Sequence, residues 1–284
     1  MTSTFMPDLS ALLPIARNAA WGAADILLEH YNGHSDLQVD EKKDGPVTAA
    51  DLAVNRHLLS TLQTALGNEH FAYLSEETAD VPSRFEKQWV WIIDPLDGTR
   101  DFIDRTGEFA VHIALVHQGR PVLAVVAYPM VQKLYTAVQG QGSQVETRDG
   151  TAHALQVSDR QQPEQMRLIV SRSHRDGKLD RLLAKLPKAD QRAVGSIGCK
   201  FASITEQETD FYVALSGKSA PKDWDLAAPE LILTEAGGQV SRFDGSLLEY
   251  NRADVSQWGG ILASNGHAHN KLCALAEAAL AEVT

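Results

Sequence analysis

Residues 89–117 read WVWIIDPLDGTRDFIDRTGEFAVHIALVH, and the fold turns on how this stretch divides. WVWII is apolar without alternation, the pattern of a strand covered on both faces. FAVHIALV, PVLAVVAYP and KLYTAV follow it up to Val138, parted by short connections with Gly or Pro. Successive short strands of this kind pair as an antiparallel meander. The first strand sets Asp94 at its carboxyl end, the edge at which α/β proteins bind ligands. Pro95 and Gly98 call for a tight turn, so Asp94 and Asp97 can face one cavity, with Thr99 opening the helical turn beyond.

Upstream, Leu9, Leu12, Leu13, Ala16, Ala20, Ala23, Ala24 and Leu27 recur at helical spacing and predict an amphipathic helix to about His30. A second helix is expected from an N-cap at Thr48 through Leu52, Val54, Leu58, Leu59, Leu62 and Leu66 to Gly67. Downstream of a polar stretch at about 140–165, strands and helices alternate: RLIVS, a helix over Leu179 to Leu186, a helix after Gly195, DFYVAL, a helix from about Trp224 to Glu235, QVSRF, GGILAS and a last alanine-rich helix. There is no internal repeat and no long linker. The expected class is α/β (α+β), with two subdomains sharing an interface: residues 1–155, holding the meander, and a smaller α/β unit, 156–284.

The 284 residues are 44% hydrophobic and 22% charged, ordinary for a soluble globular protein, with no apolar run of membrane-spanning length. MTSTFMPDLSALLPIARNAA merges into helical periodicity with no leader pattern, so a cytoplasmic location is expected, with peripheral attachment at the inner membrane left open. A formal net charge of -11 argues against binding nucleic-acid polymers, yet leaves room for a small anion if carboxylates gather divalent cations. Cys199 and Cys273 stand far apart without metal-ligand spacing and read as buried small apolar residues.

Three further acidic spots end apolar or helical segments: Asp51 in PVTAAD, Glu76 and Glu77 in FAYLSEE, and Asp225 in KDWDLAAP. Asp97-Gly98 alone could be a plain turn and Asp94 a cap, and solubility accounts for most of the 37 acidic residues. Taken with Asp94 and Asp97, and with no His or Cys cluster at zinc spacing, the three spots form a hard oxygen donor set suited to Mg2+ or Mn2+.

The set PVTAAD, LSEE, DPLDGTRDFI and WDLAAPELILTEAGG, in this order over most of the chain, resembles the lithium-sensitive inositol monophosphatase superfamily of metal-dependent phosphatases. With GEFAVHIALV, SRSH and GSIGCKF it is most similar to the CysQ group of 3'(2'),5'-bisphosphate nucleotidases within it. The resemblance implies a layered αβαβα sandwich of the sugar-phosphatase type and two or three Mg2+ ions, with Mn2+ as an alternative. It implies that Glu76, Asp94 and the Leu96 carbonyl hold one metal, and Asp94, Asp97 and Asp225 a second. It further implies that Thr99, backed by Asp51, deprotonates the attacking water alongside Glu76, and that Gly98 and Thr99 offer main-chain amides to the phosphate. The reaction it implies is removal of the 3'-phosphate from adenosine 3',5'-bisphosphate and from 3'-phosphoadenylyl sulfate. Gly45 departs from the Ser common in relatives, which leaves the loop 41–46, with Lys42 and Lys43, open as a gate.

The shared metal site leaves inositol monophosphatase and fructose-1,6-bisphosphatase activity open as alternatives. A noncatalytic metal-binding interaction protein is a further reading, against which Thr99 speaks. The expected partner is a small anionic phosphate ester, and the chain is read as a monomer or homodimer. Lys200 and Arg105, with Lys218 and Lys222, are candidates for a second phosphate, although each taken alone reads more readily as a solvated surface charge. His174 could meet substrate or cap a strand end, Trp224 is read as packing that orients Asp225, and GKS at 217–219 lacks the glycine that a P-loop needs.

Overall fold

The computed structural model describes residues 5–33, 38–42 and 45–283; Lys43 falls outside them. Helix α1 (Leu9–Asn32) starts at Asp8, whose carboxylate accepts the Ser10 amide at 2.9 Å, and buries Leu12, Ala16, Ala19, Ala20, Ala23, Ala24 and Leu27. So many alanines on one stripe let the helix lie close against a sheet. A short hairpin, β1 (Asp40–Lys42) and β2 (Gly45–Val47), precedes α2 (Ala49–Leu66), which Thr48 caps and Gly67 ends at φ +68°, as expected.

Strands β3 (Phe71–Ser75), β4 (Trp89–Asp97), β5 (Ala110–His117), β6 (Arg120–Tyr128), β7 (Lys133–Val138), β8 (Ser143–Thr147) and β9 (Ala152–Ala154) form one sheet in chain order. All neighbours are antiparallel except β3 and β4, which are parallel. Between β4 and β5 lies the short α3 (Thr99–Ile103). The second sheet has the order β11-β10-β12-β14-β13, built from β10 (Arg167–Ser171), β11 (Asp190–Val194), β12 (Phe211–Leu215), β13 (Gln239–Arg242) and β14 (Gly260–Ser264). Its helices are α4 (Gly177–Lys185), α5 (Ile197–Thr205), α6 (Asp223–Glu235) and α7 (His269–Val283).

Three apolar cores stack these elements into five layers. Helices α1 and α2 pack on one face of the first sheet through Leu27, Val54, Leu58, Trp91, Ile113 and Leu123. The other face meets α5 and α6, which also cover the second sheet through Phe201, Leu231, Tyr212 and Ile261. Helices α4 and α7 close the far side over Val170, Leu182, Val213 and Leu272. The αβαβα sandwich follows, and it explains why WVWII does not alternate: both of its faces are buried.

Three local expectations change. The tight turn at Pro95 is a continuation of β4 through Asp97, with the register shifting between Asp94 and Asp97. Pro95 is tolerated there because a bulge asks no ladder hydrogen bond of it. The polar stretch at 140–165 contains β8, which is largely buried yet polar but for Val145, and β9, whose side chains are exposed, so neither gave an apolar signal. Strand β11 was also not expected, since Asp190 to Ala193 are exposed along a sheet edge.

Candidate metal centre

Strand β4 ends where α2, α3, α5 and α6 begin. Beyond Asp97, Gly98 adopts φ +93° and opens α3, and an added Cβ there would lie 2.9 Å from the Glu108 carbonyl oxygen and 3.3 Å from Ser196 Cβ, so only glycine fits. Asp225 lies in the first turn of α6, where its Oδ2 accepts the Lys222 amide at 2.6 Å. Asp94, Asp97 and Asp225 each present a carboxylate oxygen, all within 4.8 Å of one another. Strand β3, parallel to β4, carries the chain past Ser75 to Glu76, whose amide donates to the Ile93 carbonyl at 3.2 Å. Glu76 is on the exposed lip of the group.

The charges are not balanced by the protein. Burial raises the Asp94 carboxyl well above the usual range, and Glu76, Asp97 and Asp225 raise it further. Burial, then Asp97 and Glu76, push Asp225 up to about 8. Asp94 Oδ1 accepts the Leu96 amide at 3.0 Å, whereas Oδ2 is buried without a hydrogen-bond partner. An orphaned buried carboxylate oxygen beside two more carboxylates is what a hard cation would satisfy, so the residues fit a Mg2+ or Mn2+ site.

Asp97 is treated differently. Burial alone would raise it, but His112, Lys200 and the Ser196 hydroxyl outweigh burial and hold it at about 2. Its Oδ2 accepts from Ser196 Oγ and from the Gly198 amide at 2.9 Å, and lies 3.2 Å from His112 Nε2. His112 Nδ1 sits 3.2 Å from the Trp224 carbonyl, which can only accept, so that nitrogen carries a proton. Thus Trp224 orients the site through its carbonyl as well as by packing. Gly198 admits this arrangement, because a Cβ there would meet His112 Nε2 at 2.3 Å. His112, Ser196 and Gly198 were missed in the sequence reading. The available signal was one polar residue in the otherwise apolar FAVHIALV.

Thr99 Oγ1 lies 3.1 Å from Asp51 Oδ1 and 3.1 Å from the Leu96 carbonyl oxygen. Asp51 is fixed by its other oxygen, which accepts from the Thr48 amide at 2.7 Å and the Thr48 hydroxyl at 2.6 Å, the capping box of α2. Burial raises the Asp51 carboxyl, opposed by its hydrogen bonds from Thr48 and Thr99. The structure therefore brings Asp51, Glu76, Asp94, Leu96, Asp97, Gly98, Thr99 and Asp225 to one edge of the first sheet.

The basic candidates fare otherwise. Lys200, expected at a second phosphate, is buried, and its Nζ donates to the Val194 and Gly195 carbonyls at 3.3 and 3.2 Å. Arg105 is exposed over the Tyr31 ring, 4.8 Å from its centroid. Lys222 Nζ donates to Ser256 Oγ at 3.0 Å, Lys218 is exposed, and His174 lies at the surface with its amide on Ser171 Oγ. Among the described residues no helix is long and apolar enough to cross a membrane.

Residues 8–281 match the model of the inositol monophosphatase family. The 3'(2'),5'-bisphosphate nucleotidase CysQ of Salmonella typhimurium is 36% identical over 246 residues, covering 85% of this chain and 93% of that protein. The crystal structure of CysQ from Bacteroides thetaiotaomicron superposes with a TM-score of 0.73 at 28% identity, covering 90% of this chain and 97% of its own. An IMPase of Thermotoga maritima, at 22% identity, shares the fold with a TM-score of 0.81 over 96% of this chain and 100% of its own.

Proposed function

Because the chain belongs to the inositol monophosphatase family, a family of phosphatases, we propose that it is a metal-dependent phosphomonoesterase that removes the 3'-phosphate of adenosine 3',5'-bisphosphate, and of 3'-phosphoadenylyl sulfate, by attack of water. The observation that carries the chemistry is the juxtaposition of the Asp94, Asp97 and Asp225 carboxylates, one oxygen orphaned, with the Thr99–Asp51 pair. Asp94, Asp97 and Asp225, with Glu76 and the Leu96 carbonyl, would hold Mg2+. Bound there, the cation supplies charge that polarises the phosphoryl group and neutralises the departing oxygen.

The protein's own part is proton handling and orientation. As water attacks phosphorus, Thr99 Oγ1 takes a proton from it and passes its own hydroxyl proton to Asp51 Oδ1. Asp51 suits the role because burial makes it more basic than a surface carboxylate, and the capping box holds its second oxygen still. Gly98 and Thr99 lie at the start of α3, whose first amides have no intrahelical acceptor and can hold the phosphate oxygens. In-line displacement needs no phosphoenzyme.

The nucleotide assignment leans on the CysQ relatives. With Lys200 turned onto backbone carbonyls, Arg105 is the member of the expected pair left at the surface for a second phosphate. The test compares kcat/KM for adenosine 3',5'-bisphosphate, inositol 1-phosphate and fructose 1,6-bisphosphate with Mg2+. The nucleotide should lead the monophosphate by about ten- to a hundredfold, the worth of one charge-assisted phosphate contact. A preference for inositol 1-phosphate or the sugar bisphosphate refutes the substrate reading and leaves the metal chemistry standing.

A further inference from the structure

Arg84 is 1% exposed, in the 3-10 turn Pro82–Glu86 that follows the Glu76 segment. A guanidinium is almost never buried unless its donors are satisfied. Here Nε and Nη2 donate to the two carboxylate oxygens of Asp80 at 2.7 and 3.1 Å, Nη2 also to the Arg252 carbonyl at 2.6 Å, and Nη1 to Asn251 Oδ1. Asp80 belongs to the same segment, so the long-range part of this arrangement is the reach to residues 251 and 252.

Residues 251–257 form a strap bound on its other side to the start of α6. The Asn251 amide donates to Asp223 Oδ2 at 2.7 Å, and Gln257 Nε2 to Asp223 Oδ1 at 2.8 Å. The Asp223 amide donates to the Val255 carbonyl at 2.9 Å, the Gln257 amide to the Pro221 carbonyl at 2.8 Å, and Lys222 Nζ to Ser256 Oγ at 3.0 Å. The same stretch, through the Lys222 amide, holds Asp225 Oδ2. Hydrogen bonds from Arg84 to Asn251 and from Asn251 to Asp223, continued by one step of backbone to Lys222 and its amide bond to Asp225, therefore join the segment after Glu76 to Asp225. The two acidic residues thus joined lie on separate elements, just after β3 and at the start of α6, whereas Asp94 and Asp97 share one strand and need no such tie.

We infer that Arg84 and Asn251 are positioning residues that hold the Glu76 segment and the Asp225 end of α6 at the separation a divalent cation requires. The inference rests on the metal reading above. The two side chains bond to one another, to Asp80 and to Arg252, and to none of the candidate ligands, so their loss should weaken cation binding and leave KM for the phosphate ester at saturating metal unchanged.

Asn251 allows a clean test, because its φ of +61° is a backbone state that glycine adopts freely. Asn251→Gly keeps the amide to Asp223 and deletes only the acceptor for Arg84. Asn251→Asp keeps the acceptor and tolerates the same backbone state. Mn2+ binding is measured by electron paramagnetic resonance of the free ion, with melting in EDTA as the folding control and Arg84→Gln as a second probe. Loss of one hydrogen bond to a charged group should raise the Mn2+ Kd of Asn251→Gly about tenfold, with Asn251→Asp within about twofold of the parent. If the parent binds Mn2+ and Asn251→Gly binds it equally well, whether or not its melting temperature falls, the positioning role is refuted and the metal site stands. If the parent itself binds no Mn2+, the metal reading falls and takes this inference with it.

Discussion

Replacing Asp225 by Asn should make the metal-free protein more stable and the metal-loaded protein less so. The Asp225 carboxyl is pushed up to about 8 by burial first and by Asp97 and Glu76 next. In the unfolded chain it titrates at about 3.9. A carboxyl raised on folding stabilises the native state most below its unfolded pKa, and that contribution disappears as pH rises toward the folded one. At pH 7 the shift corresponds to about 4 kcal/mol against the native state. Asp225 is partly exposed and shares its repulsion with Asp94, so about half of this, ~2 kcal/mol, is the expected penalty. Asn keeps an oxygen for the Lys222 amide and carries no charge. In EDTA, Asp225→Asn should therefore melt roughly 5 °C above the parent at pH 7 to 8, and the gap should close by about pH 4.

Mg2+ reverses the order. At a hundredfold excess over Kd, binding adds about 2.7 kcal/mol to the parent, and the variant, lacking one ligand charge, gains much less. Activity should fall by orders of magnitude in the variant even where it is the more stable protein, the trade expected when carboxylates are crowded for function. Differential scanning calorimetry from pH 4 to 9, with EDTA and with Mg2+, reads both effects. A variant no more stable than the parent in EDTA above pH 6, or equal Mg2+ stabilisation of the two proteins, would refute the reasoning.

Thr99→Ala removes the hydroxyl between Asp51 Oδ1 and the Leu96 carbonyl, so kcat should fall about a hundredfold or more while Mn2+ affinity holds; a matching loss of Mn2+ affinity would place Thr99 in the metal site instead. Gly98→Ala drives a Cβ to 2.9 Å from the Glu108 carbonyl oxygen at a φ of +93°. It should lose about 1–3 kcal/mol in urea unfolding, and an unchanged midpoint would show that the turn is not under this constraint. His269, buried between the hydroxyls of Ser241 and Ser264 at 2.8 Å each, has its pKa lowered by burial to about 4. A depressed histidine stabilises above its unfolded pKa and loses this as pH falls, so the parent should lose up to about 3 kcal/mol between pH 6.5 and 4 that His269→Asn does not lose; parallel acid limbs would exclude it.

The five layers were legible because burial on both faces leaves long apolar runs, as in WVWII and FAVHIALV, and because the two N-terminal helices show apolar positions at helical spacing, the second with its Thr48 cap in plain view. Edge strands such as β9 and β11 were not legible, since exposed strands carry no apolar pattern and are recognised only by their partners. The acids were readable because each ends an element, and chain ends of elements converge at one sheet edge. What escaped was the asymmetry among them. Nothing local to DPLD says that Asp97 is charged at neutral pH while Asp94 and Asp225 resist charge, because the cause lies across the sheet in His112 and at the start of α5 in Ser196 and Gly198. The same distance effect misdirected Lys200: its charge suggested phosphate, yet α5 buries its ammonium against the carbonyls of residues 194 and 195, where it supports Asp97 electrostatically. Paired acids of unequal basicity have a chemical consequence. Asp97 stands ionised before any cation arrives and can attract it. Asp225, pushed up to about 8, ionises as the cation binds below that pH, so uptake should release protons at pH 6 and fewer at pH 9, where Asp225 has already ionised.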